Sequence, residues 1–325
     1  MAIKKIIVFR NDRFGEFLLI IPALRALKRS YPGASLTVVA HPSVKPLAAV
    51  IEGVNEVLAW ENRLHRFAEI MKFAFELKKK RFDLSVVFNP SKESHLVCFL
   101  AGIRIRLGYR RKWGFLLTKS IRDTKDSGLK HEVESNCELL QCLGIEVADK
   151  ALSLSLDESK ASDLLKDLSF PVNDRLVVIH PWTSDPVKQW PLENFKCLIE
   201  AIGKELEVTT VLIGGQLESL KGFAWKVNPG QKIHDLTGKT SLVQLAALLK
   251  KSRLLVSADS GPVHLAACVG TAVIALFRND IPGKRPRRWG PWGKGHHVIA
   301  KENISDITVA EVFAAVKEKL GSDKR

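Results

Sequence analysis

The chain has 325 residues, 46% of them hydrophobic and 26% charged, and a formal net charge of +15. This length suggests two domains of ordinary size, and the composition is that of a globular protein able to bury large cores. The excess of positive charge points to an anionic partner: nucleic acid, an anionic membrane surface or a phosphorylated substrate.

In chain order, Ile6 to Phe9 reads as a first buried strand. A polar turn, Arg10 to Gly15, leads into an amphipathic helix over Phe17 to Arg29, with Pro22 near its start. Ser35 to Ala40 and Leu84 to Phe88 read as strands, and 103–108 as a short one. Helices are expected over 44–51, 63–80, 93–101 and 131–143. From 150 to 175 the character shifts, with Leu152, Leu154 and Leu156 alternating with serines, then a charged helix and Phe170 to Asp174. This reads as a junction between domains at 1–160 and 171–325. The rhythm then restarts, with strands at 176–180, 209–213, 253–258 and 272–277. Between and after them helices are expected at 192–206, 217–227, 241–251, 262–269 and 308–320, the last able to pack back on the first domain. A basic Pro/Gly-rich loop spans 278–297. Alternating strands and helices imply parallel, doubly wound sheets in both halves, with the ligand expected in the cleft between them.

The five cysteines, at 98, 137, 142, 197 and 268, form no C-x-x-C. A disulfide framework or zinc site is therefore not expected, and a reducing cytosol is. Lys4-Lys5 is followed by only Ile6 to Phe9 before Arg10, which is no signal peptide, and no run approaches the roughly 20 apolar residues of a span.

The most informative stretch runs from Leu254 to Ala267 and reads as strand, tight turn and helix. Asp259, Ser260 and Gly261 are turn and cap residues, and Pro262 suits the first helical position. The N–H groups from Ser260 to Val263 then form an anion site at a helix N-terminus, and Gly261 lets a ligand approach closely. An ordinary capped helix explains the same residues without a ligand. The loop from Thr183 to Pro191 follows another strand, so it lies on the same sheet edge. Thr183 and Ser184 can bond phosphate oxygens and Lys188 supplies a point charge, although a single loop lysine is more often merely solvated. Gly214-Gly215 follows a third strand, and Glu218 beyond it could accept from ribose hydroxyls or simply favour a helix start. Asn11 to Glu16 follows the first strand and is not G-x-G-x-x-G. Glu16 there is either a general base or a charge compensating a helix dipole. His180 and His264 sit at element edges, where a structural role is the commoner one. No H-E-x-x-H, D-x-D or C-x-x-C supports a metal site. The segments from Arg104 to Trp113 and from Lys284 to Trp289 mix cations with aromatics, which suits lipid head groups, phosphosugars or nucleic acid, or a solvated basic face.

Taken together these residues resemble glycosyltransferase family 9, the heptosyltransferases of lipopolysaccharide core assembly. The resemblance is carried by Arg10 to Glu16 followed by Pro22-Ala23-Leu24, by His180-Pro181 with Lys188-Gln189-Trp190-Pro191, by Gly214-Gly215 with Glu218, and by Asp259 to His264. It implies a GT-B fold of two Rossmann-like domains facing across a cleft. It also implies an inverting, metal-independent transfer from a nucleotide-activated sugar, typically ADP-heptose, to a lipid-linked anionic saccharide. On that reading Glu16 is the base, at a position where the family usually has Asp. Lys188, Thr183, Ser184 and the Ser260–Val263 N–H groups stabilise the departing diphosphate. Gly215, Glu218, Asp259, Gly261, Pro262 and His264 complete the donor site. Arg13, Arg104, Arg106, Arg110, Arg111 and Lys112 meet the acceptor. No metal or other cofactor is expected, nor nucleic acid. The protein is expected in the cytoplasm, peripheral to the inner membrane through its basic rim. A sugar-nucleotide epimerase or hydrolase of the same fold, or a basic nucleic-acid-binding protein, are the rival readings.

Overall fold

The computed structural model describes residues 2–61, 63–166, 175–216 and 232–321. The chain divides after Leu152 into two units. The expected helix over 217–227, with Glu218, and the segment Phe170 to Asp174 lie outside the described residues.

Unit 1 holds six parallel strands: β1 Lys5–Phe9, β2 Ser35–Ala40, β3 Glu56–Ala59, β4 Leu84–Val87, β5 Ile105–Tyr109 and β6 Lys119–Ile121. Their order is β3-β2-β1-β4-β5-β6. The helices are α1 Phe14–Leu18, α2 Ile21–Ser30, α3 Lys45–Ala48, α4 Phe67–Lys80, α5 Lys92–Leu100 and α6 Glu132–Leu139. Instead of one helix over 17–29, the chain breaks between Leu18 and Ile21. Pro22 is the reason: it is the second residue of α2 and has no N–H to continue the helix from α1.

Unit 2 begins with the leucine-serine stretch. The Leu154 N–H donates to the Cys268 carbonyl, and Lys250 donates to that of Leu156. Its strands are β7 Leu176–His180, β8 Thr209–Leu212, β9 Ile233–Asp235, β10 Leu254–Ala258, β11 Ala272–Arg278 and β12 His297–Lys301. Its helices are α7 Glu158–Lys166, α8 Leu192–Glu205, α9 Leu242–Lys251, α10 Gly261–Val269, α11 Pro286–Trp289 and α12 Val309–Gly321. The sheet order β12-β11-β10-β7-β8-β9 repeats that of unit 1 when its strands are counted afresh from β7. Helix α12 buries Val312, Phe313 and Val316 in the core of this unit, with α8, β10 and β11.

The central strands are fully buried aliphatic runs, as parallel strands covered on both faces must be. In each sheet the order reverses beside the first strand, between β1 and β4 and again between β7 and β10. Loops leaving two adjacent strands in opposite directions open a crevice at the C-terminal edge, where ligands bind in doubly wound folds.

Candidate active site

In unit 2 the loops after β7 and β10 flank that crevice. The Lys188 Nζ lies 2.6 Å from Asp259 Oδ2, and both side chains are largely buried. The loop carrying Lys188 is held from beneath. Trp190 is fully buried, packs edge-on against Phe195, and donates its indole N–H to the Ile307 carbonyl at 2.9 Å. Gln189 accepts from the Thr183 N–H at 3.1 Å and donates to the carbonyls of Pro181 and Trp190. Asp185 caps the short turn Pro186–Lys188 by accepting from the Val187 N–H. Its carboxylate also takes the Lys284 ammonium at 2.6 Å, which holds it below the usual carboxylate range. Arg278 donates to the Val187 carbonyl at 3.0 Å. Lys188 is thus the tip of a loop in which Thr183, Asp185, Gln189 and Trp190 are engaged in keeping its shape.

Asp259 leads into Ser260, the N-cap of α10, whose backbone is extended. The Ser260 hydroxyl does not cap the helix. It lies 2.8 Å from Ser257 Oγ and 3.1 Å from His180 Nδ1. Burial lowers His180 to about 4, so this imidazole is neutral at physiological pH and serves as a polar peg under the helix start. Two residues of the 260–263 stretch offer no free N–H donor. Pro262 is the second helical residue and has none, and that of Val263 bonds the Ser260 carbonyl at 3.2 Å. Of the N–H groups from Ser260 to Val263, those of Ser260 and Gly261 carry no backbone hydrogen bond among the described residues. They stand beside the Lys188–Asp259 pair.

The remaining donor-side expectations sort by position. Thr183 turns its hydroxyl to the Asp185 carbonyl at 2.8 Å, while Ser184 is exposed. Gly215 is exposed just past β8. Gly214 is needed for packing: a Cβ there would come within 2.7 Å of the Trp182 ring. His264 is buried in α10, 6.5 Å from the Trp289 ring centroid.

In unit 1 the loop after β1 is pinned by ions that its sequence does not announce. Arg10 is buried, with Nε 2.9 Å from Asp12 and Nη1 3.5 Å from Glu132. Lys125 reaches the same Glu132 oxygen at 3.1 Å and lies over the Tyr109 ring. Glu16 follows in the first turn of α1, half buried, close enough to add to the field on both Arg10 and Asp12. Burial pushes the Asp12 carboxyl up to about 6, against the pull of Arg10 and with the push of Glu16. The sign follows. An acid whose folded value exceeds its unfolded one binds extra protons in the fold, so stability drops as pH rises between about 4 and 6. Asp12→Asn should therefore be the more stable at pH 7 relative to wild type than at pH 4, by on the order of 2 kcal/mol. Urea unfolding at both pH values checks this; an equal difference at the two would remove the effect.

The cations assigned to the acceptor do not gather in one place. Arg104 precedes β5 and Arg106 is its second residue, level with Ser85 and Ile7 across the sheet. They therefore belong to its N-terminal half, whereas Glu16 follows the C-terminal end of β1. Arg106 is also committed locally, to the carbonyls of Leu116 and Ile103. Arg110, Arg111 and Lys112 follow β5 at the C-terminal edge. Of these Arg111 pairs with Asp123 at 2.9 Å, while Arg110, Lys112 and Arg13 are exposed.

Two doubly wound units repeating one strand order are the GT-B architecture of glycosyltransferases. Residues 70–312 match glycosyltransferase family 9 (heptosyltransferase), and the chain belongs to that family. It is 25% identical to Escherichia coli lipopolysaccharide heptosyltransferase 3, over 95% of this chain and 97% of that one. To lipopolysaccharide heptosyltransferase 2 of Salmonella typhimurium it is 26% identical, over 98% and 99%. The structure of E. coli ADP-heptose lipopolysaccharide heptosyltransferase II superposes with a TM-score of 0.84 at 24% identity, covering 99% of this chain and all of the other.

Proposed function

We propose that this glycosyltransferase moves heptose from ADP-heptose onto a lipopolysaccharide-core or other lipid-linked saccharide, at the cytoplasmic face of the inner membrane. The family and the relatives' activities support the sugar and the acceptor class. The observation that carries the donor side is the Lys188–Asp259 pair beside the Ser260 and Gly261 N–H groups at the switch point of unit 2. Lys188 leans on Asp259 until a diphosphate arrives, then shares its charge with the phosphate oxygens. Asp259 is left to accept from sugar hydroxyls.

Glu16 takes the proton from the acceptor hydroxyl as that oxygen bonds the anomeric carbon. The bond from this carbon to the diphosphate breaks on the opposite face, which inverts the centre. The negative charge that moves onto the leaving diphosphate is met by Lys188 and the two N–H groups. Such preorganised donors can do the work of a metal ion. No helix among the described residues is long and apolar enough to cross a membrane.

Purified protein offered ADP-, UDP- and GDP-sugars should release ADP from ADP-heptose only when the acceptor is present, and excess EDTA should leave the rate within about twofold. Donor consumption without acceptor would indicate an epimerase or hydrolase. Loss of transfer in EDTA with rescue by magnesium would overturn the metal-free reaction.

A further inference from the structure

Most large apolar side chains standing exposed among the described residues lie in unit 1 between positions 64 and 129. Their centre is α4. This helix buries Ile70, Phe73, Ala74 and Leu77 against the sheet. It carries a second apolar stripe beside that buried face and open to solvent: Phe67, Met71 and Phe75 are 69%, 40% and 58% exposed. The spacing of four residues keeps the three in one row, drifting only about 40° per step. Leu64, just before the helix, is 93% exposed. Helix α5 packs on α4 and adds the exposed Phe99, and the turn packed on α5 adds Phe115, 79% exposed. A helix face open to water alone is usually polar, and contiguous exposed apolar surface marks a contact site.

Charge selects the partner. At about 100° per residue, Lys72, Lys78 and Lys79 fall within about 100° of Met71, while Glu69 and Glu76 fall about 140–160° away. The Lys79 Nζ sits 4.5 Å from the Phe75 ring centroid, and the Arg106 guanidinium 5.5 Å from that of Phe99. Aromatic and aliphatic side chains rimmed by cations are the composition of an element lying in the interface of an anionic bilayer. A second copy of the same face would bring these cations against each other, which disfavours self-association.

We propose that the Phe67–Met71–Phe75 face of α4, with Leu64, Phe99 and Phe115 beside it, seats unit 1 on an anionic bilayer. The rings enter the boundary between head groups and acyl chains, and Lys72, Lys78 and Lys79 meet lipid phosphates. This deepens the membrane reading above by naming the surface, and it moves the contact from a basic rim alone to an apolar ridge with basic flanks. Arg106, placed at the far end of β5 from Glu16, then belongs with the membrane face.

The full chain should sediment with vesicles of equal parts phosphatidylcholine and phosphatidylglycerol, and much less with phosphatidylcholine alone. The double variant Met71→Glu/Phe75→Glu, both positions exposed, should keep the wild-type circular dichroism and melting temperature. Its partition onto the mixed vesicles should fall at least tenfold. Lys72→Ser/Lys79→Ser should fall less and lose most of its salt sensitivity. Undiminished binding by the Glu variant overturns the proposal. So does a wild-type dimer that the Glu variant dissociates without any change in vesicle binding. The vesicle assay uses no sugar donor, so its failure leaves transfer untouched. Transfer to a water-soluble acceptor fragment, unchanged in the Glu variant, separates the two readings.

Discussion

Glu16→Gln should lower kcat by about a hundredfold or more while leaving the donor KM nearly unchanged. The side chain keeps its size and most of its packing in the first turn of α1, but it cannot take a proton. The loss therefore falls on the chemical step alone, and steady-state kinetics with saturating acceptor read it directly. Glu16→Asp is the finer probe, because the carboxylate retreats by about one bond and reacting geometry is tight. The Arg10–Asp12–Glu132 network holds the loop rigidly from the other side, so it is not free to follow. The Asp variant should be slower than wild type and faster than the Gln variant. A Gln variant with near-normal turnover would move the base elsewhere. Asp12, the nearest carboxyl in the loop, is bound to Arg10 and mostly buried, which makes it a poor substitute.

Lys188→Ala should weaken donor binding and slow transfer together, by roughly ten- to a hundredfold in kcat/KM, the range of a lost charge-assisted hydrogen bond. The structure adds a second loss. Without Lys188 the buried Asp259 carboxylate loses the cation 2.6 Å from it. Removing one partner of a largely buried pair also destabilises the fold, by about 3 kcal/mol. Lys188→Ala/Asp259→Asn separates these effects. It should recover part of the lost melting temperature, because the buried charge that Lys188 balanced is removed with it, and it should still bind donor poorly. Calorimetric titration with ADP alongside thermal melting would check both halves. Donor affinity unchanged in the single variant would remove Lys188 from the site.

The central architecture was legible because buried parallel strands are written as aliphatic runs. Each one, from Ile6 to Phe9 through Ala272 to Phe277, stands where the run stands. The four strands not foreseen, β3, β6, β9 and β12, are the outer strands of their sheets. An edge strand is half solvated and short, so Glu56, Lys119, His234 and His297 break the apolar pattern by which strands are read. The site divides the same way. Lys188 and Asp259 were singled out as separate anion-side groups, since each follows a buried strand, but their mutual pairing depends on β7 and β10 being neighbours. The acceptor-side cations divide because a basic run in sequence is not a basic patch in space. Five residues of β5 lie between Arg104 and Arg110 and carry them to opposite edges of a sheet. Glu132 gave no signal, since its partner Arg10 is more than a hundred residues away, and Lys125 joins them only through Glu132.

The indole of Trp190 ties the Lys188 loop to a carbonyl 117 positions further along the chain. Ile307, which supplies it, lies just before α12, and that helix packs on α8, which follows the loop directly. The loop is therefore closed through the hydrophobic centre of unit 2 and belongs to its cooperative unfolding unit, not to the fringe of segments that open locally. Its amide protons should then exchange with solvent as slowly as those of the sheet beneath it. Damage at the far C-terminal helix, remote in sequence from Lys188, would be felt first as slack in the loop that holds the lysine.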